Sequence, residues 1–402
     1  MSPMHTAPAA LTGDDEQLRA QYLAEVLSVL YPDSGPAAVE YLVVPNARKP
    51  RLLVPADSRR VAAAAVRRYA EPTTRTGRLG RTAIVAALRT GASALLLRDR
   101  VRVQAGTDSF PAHLAGVLGD GLALSVHIGP ARANRKPVLQ VFDARGHTVA
   151  FVKLGTNPLT RGLVRAEAAA LTTLGHAGLR SITVPKVLHT GQWHDHEVLV
   201  LEALPTWRKR VPLTAPRLVT AMTELAGCCG TRRSGLRGSG YASRLRTRLE
   251  AVADSPDGRQ LAGAAERVLD AAGELRLDFG AWHGDWAPWN MATLDDTLLV
   301  WDWERFTPGV PAGFDALHHD LQRRLAAGTD ARAAVDAMLG RAGELLRPFG
   351  VREEPAAEAI ALLYLIDLAT RYVADRQAES GARLGVLGRW LLPALLTRVE
   401  EL

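Results

Sequence analysis

The chain has 402 residues, 47% of them hydrophobic, which suits a globular protein of two or three domains with a sizeable core. No apolar run approaches the roughly 20 residues of a membrane span. Met1 to Asp15 lacks a basic end followed by an apolar core, so neither a membrane partner nor a secretory signal is expected. The formal net charge is +7, but 14 Arg or Lys face three acids between Ala47 and Val103, a local +11 that leaves −4 elsewhere. Solvated helix faces account for these arginines as well as an anionic partner does. Cys228 and Cys229 are adjacent; such a pair closes no useful loop and builds no zinc site, which points to a reducing, cytoplasmic setting.

Residues 1 to about 15 read as a disordered tail. Asp15 to Leu30 carries Leu18, Tyr22, Val26 and Leu30 at helical spacing. Tyr41 to Val54 reads as two short strands around the turn-rich Asn46-Ala47-Arg48-Lys49-Pro50. Ser58 to Tyr69 predicts a helix with Val61, Ala65, Val66 and Tyr69 inward, Thr82 to Leu88 a second helix, and Leu95 to Val103 a strand. Ser109 is a candidate N-cap for a short helix ending at Gly116 or Gly119. Residues 1–118 are taken as a small α+β accessory domain.

Strands are expected over Leu122 to Ile128, Val138 to Phe142 and Val149 to Leu154, the last two joined by the turn Asp143-Ala144-Arg145-Gly146. Gly129 to Lys136, which includes Asn134, is a loop of small and basic residues. Lys153 stands in an apolar strand, and only five of the 49 basic residues are lysine. The following helix is expected to start near Thr160 as N-cap. Its apolar stripe reads Leu163, Ala170, Leu171, Leu174, and Glu167 shares it. A carboxylate on a buried face needs a partner, and Lys153 is the natural one. Val184 to His189 and Val198 to Glu202 read as two further strands.

Beyond position 205 the chain turns helical. Helices are expected over Arg217 to Leu225, Tyr241 to Ala253, Gln260 to Leu275, Phe314 to Leu325, Ala331 to Leu346, Ala356 to Ala374 and Leu384 to Leu396. Arg232, Arg233 and Arg237, beside Gly and Ser, read as a loop. Between these helices lies Trp282-His283-Gly284-Asp285-Trp286-Ala287-Pro288-Trp289-Asn290, after a short strand at Leu277 to Phe279. The apolar run Leu298 to Trp301 then ends in Asp302-Trp303-Glu304. Gly284 and Pro288 argue against helix in the first segment. Oxygen donors on a loop and at a strand end suit a hard cation such as Mg²⁺, which prefers one or two protein groups plus substrate phosphates.

His-Gly-Asp, an Asn five residues after the Asp, and a second Asp twelve residues further on resemble the aminoglycoside phosphotransferase family of small-molecule kinases. The resemblance spans roughly residues 120 to 400. It implies an α+β, bilobal kinase-like fold: a small antiparallel β lobe (119–205) and a mainly helical large lobe (206–402), preceded by the α+β domain of residues 1–118. It further implies that Asp285 accepts the proton of an acceptor hydroxyl or orients it, and that Asn290 and Asp302 hold Mg²⁺. Lys153, paired with Glu167, would meet the nucleotide phosphates. The loop Gly129 to Lys136, Asn134 included, would cover them. Glu202-Ala203-Leu204-Pro205 would be the hinge whose backbone meets the base, through Glu202 and Leu204.

The same resemblance makes Asp315 a brace of the catalytic loop. His283 is expected to hydrogen-bond within that loop. Glu304 lies near a second metal or near the acceptor, and both stay open. Trp286 and Trp289 pave an acceptor pocket or fill the core beneath the loop. His318 and His319 are consecutive, point different ways on a helix and are given no metal role.

The expected activity is transfer of the γ-phosphate of ATP or GTP, with Mg²⁺, to a hydroxyl of a small molecule such as an aminoglycoside, another antibiotic or a sugar. No Gly-x-Ser-x-Gly and no Cys-x-x-Cys occurs, which disfavours hydrolase and zinc chemistry. The alternative is a nucleotide-binding regulatory or scaffold protein whose basic N-terminal domain holds an anionic partner. It is disfavoured because Lys153, Glu167, Asp285, Asn290 and Asp302 are all present. Nucleic acid is not expected as a partner.

Overall fold

The structure, a computed structural model, describes residues 9–33, 35–69, 75–129, 133–376 and 390–401. In chain order it holds α1 (Ala9–Leu30), β1 (Ala37–Val44), β2 (Leu52–Pro55), α2 (Arg59–Tyr69), α3 (Arg75–Thr90), β3 (Arg100–Ala105), α4 (Phe110–Leu118), β4 (Ala123–His127), β5 (Val138–Phe142) and β6 (Thr148–Gly155). Next come α5 (Pro158–His176), β7 (Ile182–Thr183), β8 (Val187–Trp193), β9 (His196–Glu202), α6 (Ala215–Gly227), β10 (Arg232–Gly235), α7 (Gly240–Glu250), α8 (Pro256–Ala272) and β11 (Arg276–Trp282). The last stretch holds β12 (Met291–Thr293), β13 (Leu298–Val300), β14 (Thr307–Pro311), α9 (Phe314–Ala326), α10 (Ala331–Leu339), α11 (Ala342–Leu346), α12 (Glu354–Ala374) and α13 (Leu391–Glu400). These elements form two compact units. One takes the N-terminal residues with Arg135–Arg165 and Lys186–Ala203; the other takes Ala166–Pro185 and Leu204–Leu402, and Asn134 clusters with it.

The first unit is built on one eight-stranded sheet in the order β3-β1-β2-β4-β5-β6-β9-β8, antiparallel at every pairing. The two-residue period of a strand sends alternate side chains to opposite faces. In β1, Tyr41 and Val43 join a core with Tyr22, Val26 and Leu30 of α1 and Phe110 and Leu114 of α4. Leu42 and Val44 join a second core with Val61, Ala65 and Val66 of α2 and Val85 and Leu88 of α3. In β6, Ala150, Val152 and Leu154 belong to the first core. Lys153 alternates with them, so it leaves the strand on the other face, where it is 6% exposed. The sheet and the first core both run across position 118: Leu52 pairs with His127 and Leu53 with Val126, and Val126, Leu139 and Val152 pack in the core of Tyr22 and Phe110.

The second unit is mainly helical. Its core joins α7, α8, α9, α10, α11, α12 and α13. Two small sheets accompany it, β10-β11-β14 and β12-β13-β7, with β13 parallel to β7. Trp282 closes β11 edge-on to Phe314 at 5.3 Å between ring centroids, and Phe314 stands edge-on to Tyr364 at 5.8 Å. This aromatic floor fixes the point from which the loop after β11 departs. The expected class, an antiparallel β part and a mainly helical part, is what the chain adopts. No helix among the described residues is long and apolar enough to cross a membrane.

Several expectations need correction. Helix α1 starts at Ala9, so residues 9–15 are not a tail, while residues 1–8 lie outside the described residues. Helix α3 begins at Arg75 rather than near Thr82, and the strand expected from Leu95 begins at Arg100 after a 3-10 turn at Ser93–Leu95. Helix α5 begins at Pro158, because the Asn157 Oδ1 accepts the Thr160 N–H at 2.9 Å and proline suits the first helical position. Thr160 instead accepts the Thr156 and Asn157 N–H groups through Oγ1. Arg232 and Arg233 lie in β10, paired with Phe279 and Asp278, not in a loop. The expected helix Ala331 to Leu346 breaks at Gly340. Residues 130–132 of the loop Gly129 to Lys136, and 384–389 of the last expected helix, lie outside the described residues.

Candidate active site

Strand β11 delivers the chain into a loop that is clamped from three sides. From α9, Asp315 accepts the His283 N–H at 2.7 Å through Oδ2 and the Gly284 N–H at 3.2 Å through Oδ1. Burial pushes the Asp315 carboxyl up to about 7, while the two backbone N–H bonds pull the other way. From α12, Arg371 donates to the Gly284 carbonyl at 2.5 Å. The third clamp is His283 itself, fully buried. Its Nδ1 accepts the Asp285 N–H at 3.0 Å and its Nε2 lies 3.0 Å from the Trp301 carbonyl. One nitrogen accepting and the other facing a carbonyl require a neutral ring protonated on Nε2. Burial, which lowers its pKa to about 4, keeps it in that form. Gly284 has φ +82°, and a Cβ there would come within 2.4 Å of the Arg305 carbonyl oxygen, so glycine is required.

The clamped loop presents Asp285. Its Oδ1 lies 3.1 Å from Nε2 of His318, which is fully buried on α9 one turn after Asp315. The other His318 nitrogen, Nδ1, lies 3.0 Å from the Tyr364 hydroxyl. The Asp285 Oδ2 accepts Nδ2 of Asn290 at 2.9 Å, and the same Nδ2 donates to the Asp285 carbonyl at 3.0 Å. Burial alone would raise the Asp285 pKa; the bond and charge of His318, then Arg371 and His283, outweigh it and bring it to about 2. Burial holds the His318 imidazole below its usual value. The Asp285 carboxylate is therefore ionised, oriented by two N–H donors, and 38% exposed.

Strand pairing sets the second acid beside this loop. Met291 pairs with Val300 in the β12–β13 ladder, and the Trp301 N–H donates to the Asn290 carbonyl at 3.1 Å. Asp302 is thus the residue after the partner of Asn290. It holds φ 66° and ψ 56°, the left-handed region that non-glycine residues seldom adopt outside functional or tightly constrained positions. The next residue, Trp303, is fully buried; its backbone N–H donates to Glu167 Oε1 of α5 at 3.3 Å and its indole N–H to the Val300 carbonyl at 3.0 Å. Its ring stacks at a tilt on His283, 4.4 Å between centroids. Glu304 accepts Nδ2 of Asn134 at 3.3 Å.

In the second unit, then, the structure brings together Asp285, Asn290, Asp302, Glu304, Asn134 and Glu167. Lys153 and Glu202 belong to the first unit, on β6 and β9; Leu204 follows in the second and is buried. Trp286 is fully buried with an indole N–H that meets no acceptor, so it fills core, whereas Trp289 is 47% exposed. Sequence reasoning missed His318, which was given no role at the site. Its three-residue spacing from Asp315 on one helix face was the available signal. Arg371, on a helix that read only as amphipathic, gave no signal.

A resident cation is compatible with these residues on the chemistry of the donors. Asp302, Asn290 and Asp285 offer only oxygen once the Asn290 amide nitrogen is spent on Asp285. Among the described residues no three His, Cys, Asp or Glu side chains group to hold a metal by themselves. That arrangement suits an ion completed by substrate phosphates.

No family model matches the chain, and no curated protein does. Among solved structures it is similar to a protein assigned as a fructosamine-3-kinase from Thermobifida fusca YX-ER1, at 19% identity over 73% of this chain and 100% of that one, with a TM-score of 0.46. It is similar to a thermostable mutant of the aminoglycoside phosphotransferase APH(4)-Ia, at 14% identity over 66% of this chain and 91% of that one, TM-score 0.44. It is also similar to a glucosamine kinase in complex with glucosamine, ADP and inorganic phosphate, at 16% identity over 73% and 87%, TM-score 0.38. These neighbours are small-molecule kinases; likenesses at this level leave the reaction of this chain to be argued from its own site.

Proposed function

We propose that the protein transfers the γ-phosphate of ATP or GTP to a hydroxyl of a small molecule. The observation that carries this reading is the Asp285 carboxylate, ionised, held by His318 and Asn290, and partly open to solvent on a clamped loop. A carboxylate with a pKa near 2 is a weak base but a strong hydrogen-bond acceptor. Its role is to align an acceptor O–H with phosphorus. In the loose transition state of phosphoryl transfer, alignment and charge neutralisation matter more than early proton removal. The acceptor oxygen gains the P–O bond, the bond from phosphorus to the β-bridging oxygen breaks, the nucleoside diphosphate leaves with that electron pair, and the hydroxyl proton departs late, towards Asp285.

Asn290, through its amide oxygen, and Asp302 are assigned to a divalent cation. Mg²⁺ bound there would neutralise charge on the β- and γ-phosphates. Lys153 is assigned to the phosphates and Glu167 to its positioning; Asn134 is assigned to the phosphate loop, and the backbone of Glu202 and Leu204 to the base. Glu167 also accepts the N–H of the residue after Asp302, which ties α5 to the turn that carries Asp302.

The test is transfer from radiolabelled γ-phosphate of ATP and of GTP to a panel of hydroxyl-bearing antibiotics, amino sugars and sugars, with wild type and Asp285→Ala. A labelled product with the wild type that falls by roughly 10²- to 10⁴-fold in the variant, while nucleotide binding persists, supports the proposal. Equal transfer by both proteins contradicts it.

A further inference from the structure

The first unit carries a cavity of about 520 Å³ within which basic groups crowd. It lies between α2, the last turn of α3 and the β5–β6 turn. Its walls are Arg59, Arg60, Arg67 and Arg68 of α2, Arg89 of α3, and Arg145 and His147 of the turn, with Ala64 and Gly146 between them. Among the described residues no carboxylate lines it. Arg59, Arg60, Arg67, Arg89 and Arg145 form no ion pair among the described residues. Asp143, whose charge acts on Arg68, is engaged in its own turn, accepting the His147 N–H at 2.8 Å and lying 3.0 Å from His147 Nδ1.

This concentration of like charge is held in place by specific packing. Arg68 is tied to the sheet, its Nη1 donating to Thr148 Oγ1 at 2.5 Å, and the same oxygen accepts Gln140 Nε2 at 2.8 Å. Two positive-φ glycines make room for arginines. At Gly91 a Cβ would come within 2.6 Å of the Arg59 guanidinium, and at Gly146 within 3.2 Å of Arg60 Cγ. Arg59 and Arg60 also occupy the first turn of α2, where no acid is present and the helix dipole disfavours a cation. Like charges so gathered repel, and a bound anion relieves both that repulsion and the unfavourable helix terminus.

We infer that this cavity is a binding site for a small, multiply phosphorylated anion, separate from the Asp285 site. Its volume falls in the range of small-ligand pockets, about 300–1,000 Å³. Planar guanidinium forks from three chain segments match several phosphate oxygens at once, which a single phosphate does not need. A concave site of this size suits a compact polyphosphate rather than the long convex backbone of a duplex.

The experiment is calorimetric titration of the full chain with inorganic tripolyphosphate in metal-free buffer, with glucose 6-phosphate and a 20-base-pair DNA duplex as further arms. Arg60→Glu/Arg67→Glu and, separately, Arg89→Gln/Arg145→Gln are the variants; all four side chains are exposed, and a thermal melt checks that each variant folds. The proposal expects one tripolyphosphate per chain, glucose 6-phosphate at least roughly 10-fold weaker, and affinity falling by roughly 100-fold in the charge-reversed variant and by less in the neutralised one. Tripolyphosphate binding that is absent, or equal in wild type and both variants, overturns it. So does duplex DNA that binds with tripolyphosphate failing to compete. The arginine variants alone assign the site, so the outcome is independent of whether the Asp285 site transfers phosphate.

Discussion

His318 decides where the Asp285 carboxylate points. It is fully buried, bridges Asp285 and the Tyr364 hydroxyl, and lies behind the acid on the core side. Removing such a support lets the acid move while leaving it charged. His318→Ala is expected to lower kcat by roughly 10²-fold with little change in the KM for nucleotide, and His318→Gln, which keeps an N–H donor, to recover part of it. Steady-state kinetics on both variants check this; a KM effect without a kcat effect would place His318 in nucleotide binding instead. At this scale the sequence placed Asp285 and Asn290 on one loop and Asp302 just past the following strand, where the structure has them, because short-range spacing fixes a loop and the strand after it. It was silent about His318 and Arg371, whose roles depend on two helices packing against that loop.

The loop that presents Asp285 is held as an element by Asp315, His283 and Arg371, and its folding depends on two requirements. Gly284→Ala adds a Cβ at φ +82° against the Arg305 carbonyl. It is expected to destabilise the protein by at least about 2 kcal/mol, read as a lower denaturation midpoint. The second requirement is a neutral His283. Its folded pKa of about 4 lies below the unfolded value of about 6.5, so the unfolded chain takes up the proton first as pH falls. The stability it contributes is complete above about 6.5 and is lost on descent towards about 4, to the extent of about 3 kcal/mol. His127 and His319, also pushed down to about 4 by burial, act in the same sense. Asp315 acts oppositely: with a folded pKa of about 7 it costs stability as pH rises from about 4 to about 7. Three histidines outweigh one acid, so the melting temperature is expected to fall between pH 6.5 and 4, and less steeply in His283→Gln. An identical slope in both proteins would remove His283 from this account. The loop's clamp was half legible: His283 and Asp315 follow from the resemblance, whereas the start of α5 at Pro158 turned on Asn157, a cap that the threonine three residues later concealed.

At the scale of the whole molecule, the eight-stranded sheet joins segments that the sequence treated apart. Local periodicity identifies strands but not their partners, and only the pairing of Leu52 and Leu53 with His127 and Val126 links β2 to β4. Once made, that link shares a core: Tyr22, Leu53 and Phe110 pack with Val126, Leu139 and Val152. A chain starting at residue 119 is expected to lose soluble expression or a cooperative melt, because one edge of β4 and the apolar face of the sheet would be uncovered. A truncated protein that melts cooperatively would show that the first 118 residues are dispensable. The central claim, that Asp302 and Asn290 hold a divalent cation together with a nucleotide polyphosphate, is tested most directly by Mn²⁺ titration followed by electron paramagnetic resonance, with ATP present, on wild type and Asp302→Asn. The account predicts a nucleotide-dependent Mn²⁺ site in the wild type whose affinity falls by roughly 10- to 100-fold in the variant. Equal Mn²⁺ affinity in the two proteins would contradict it.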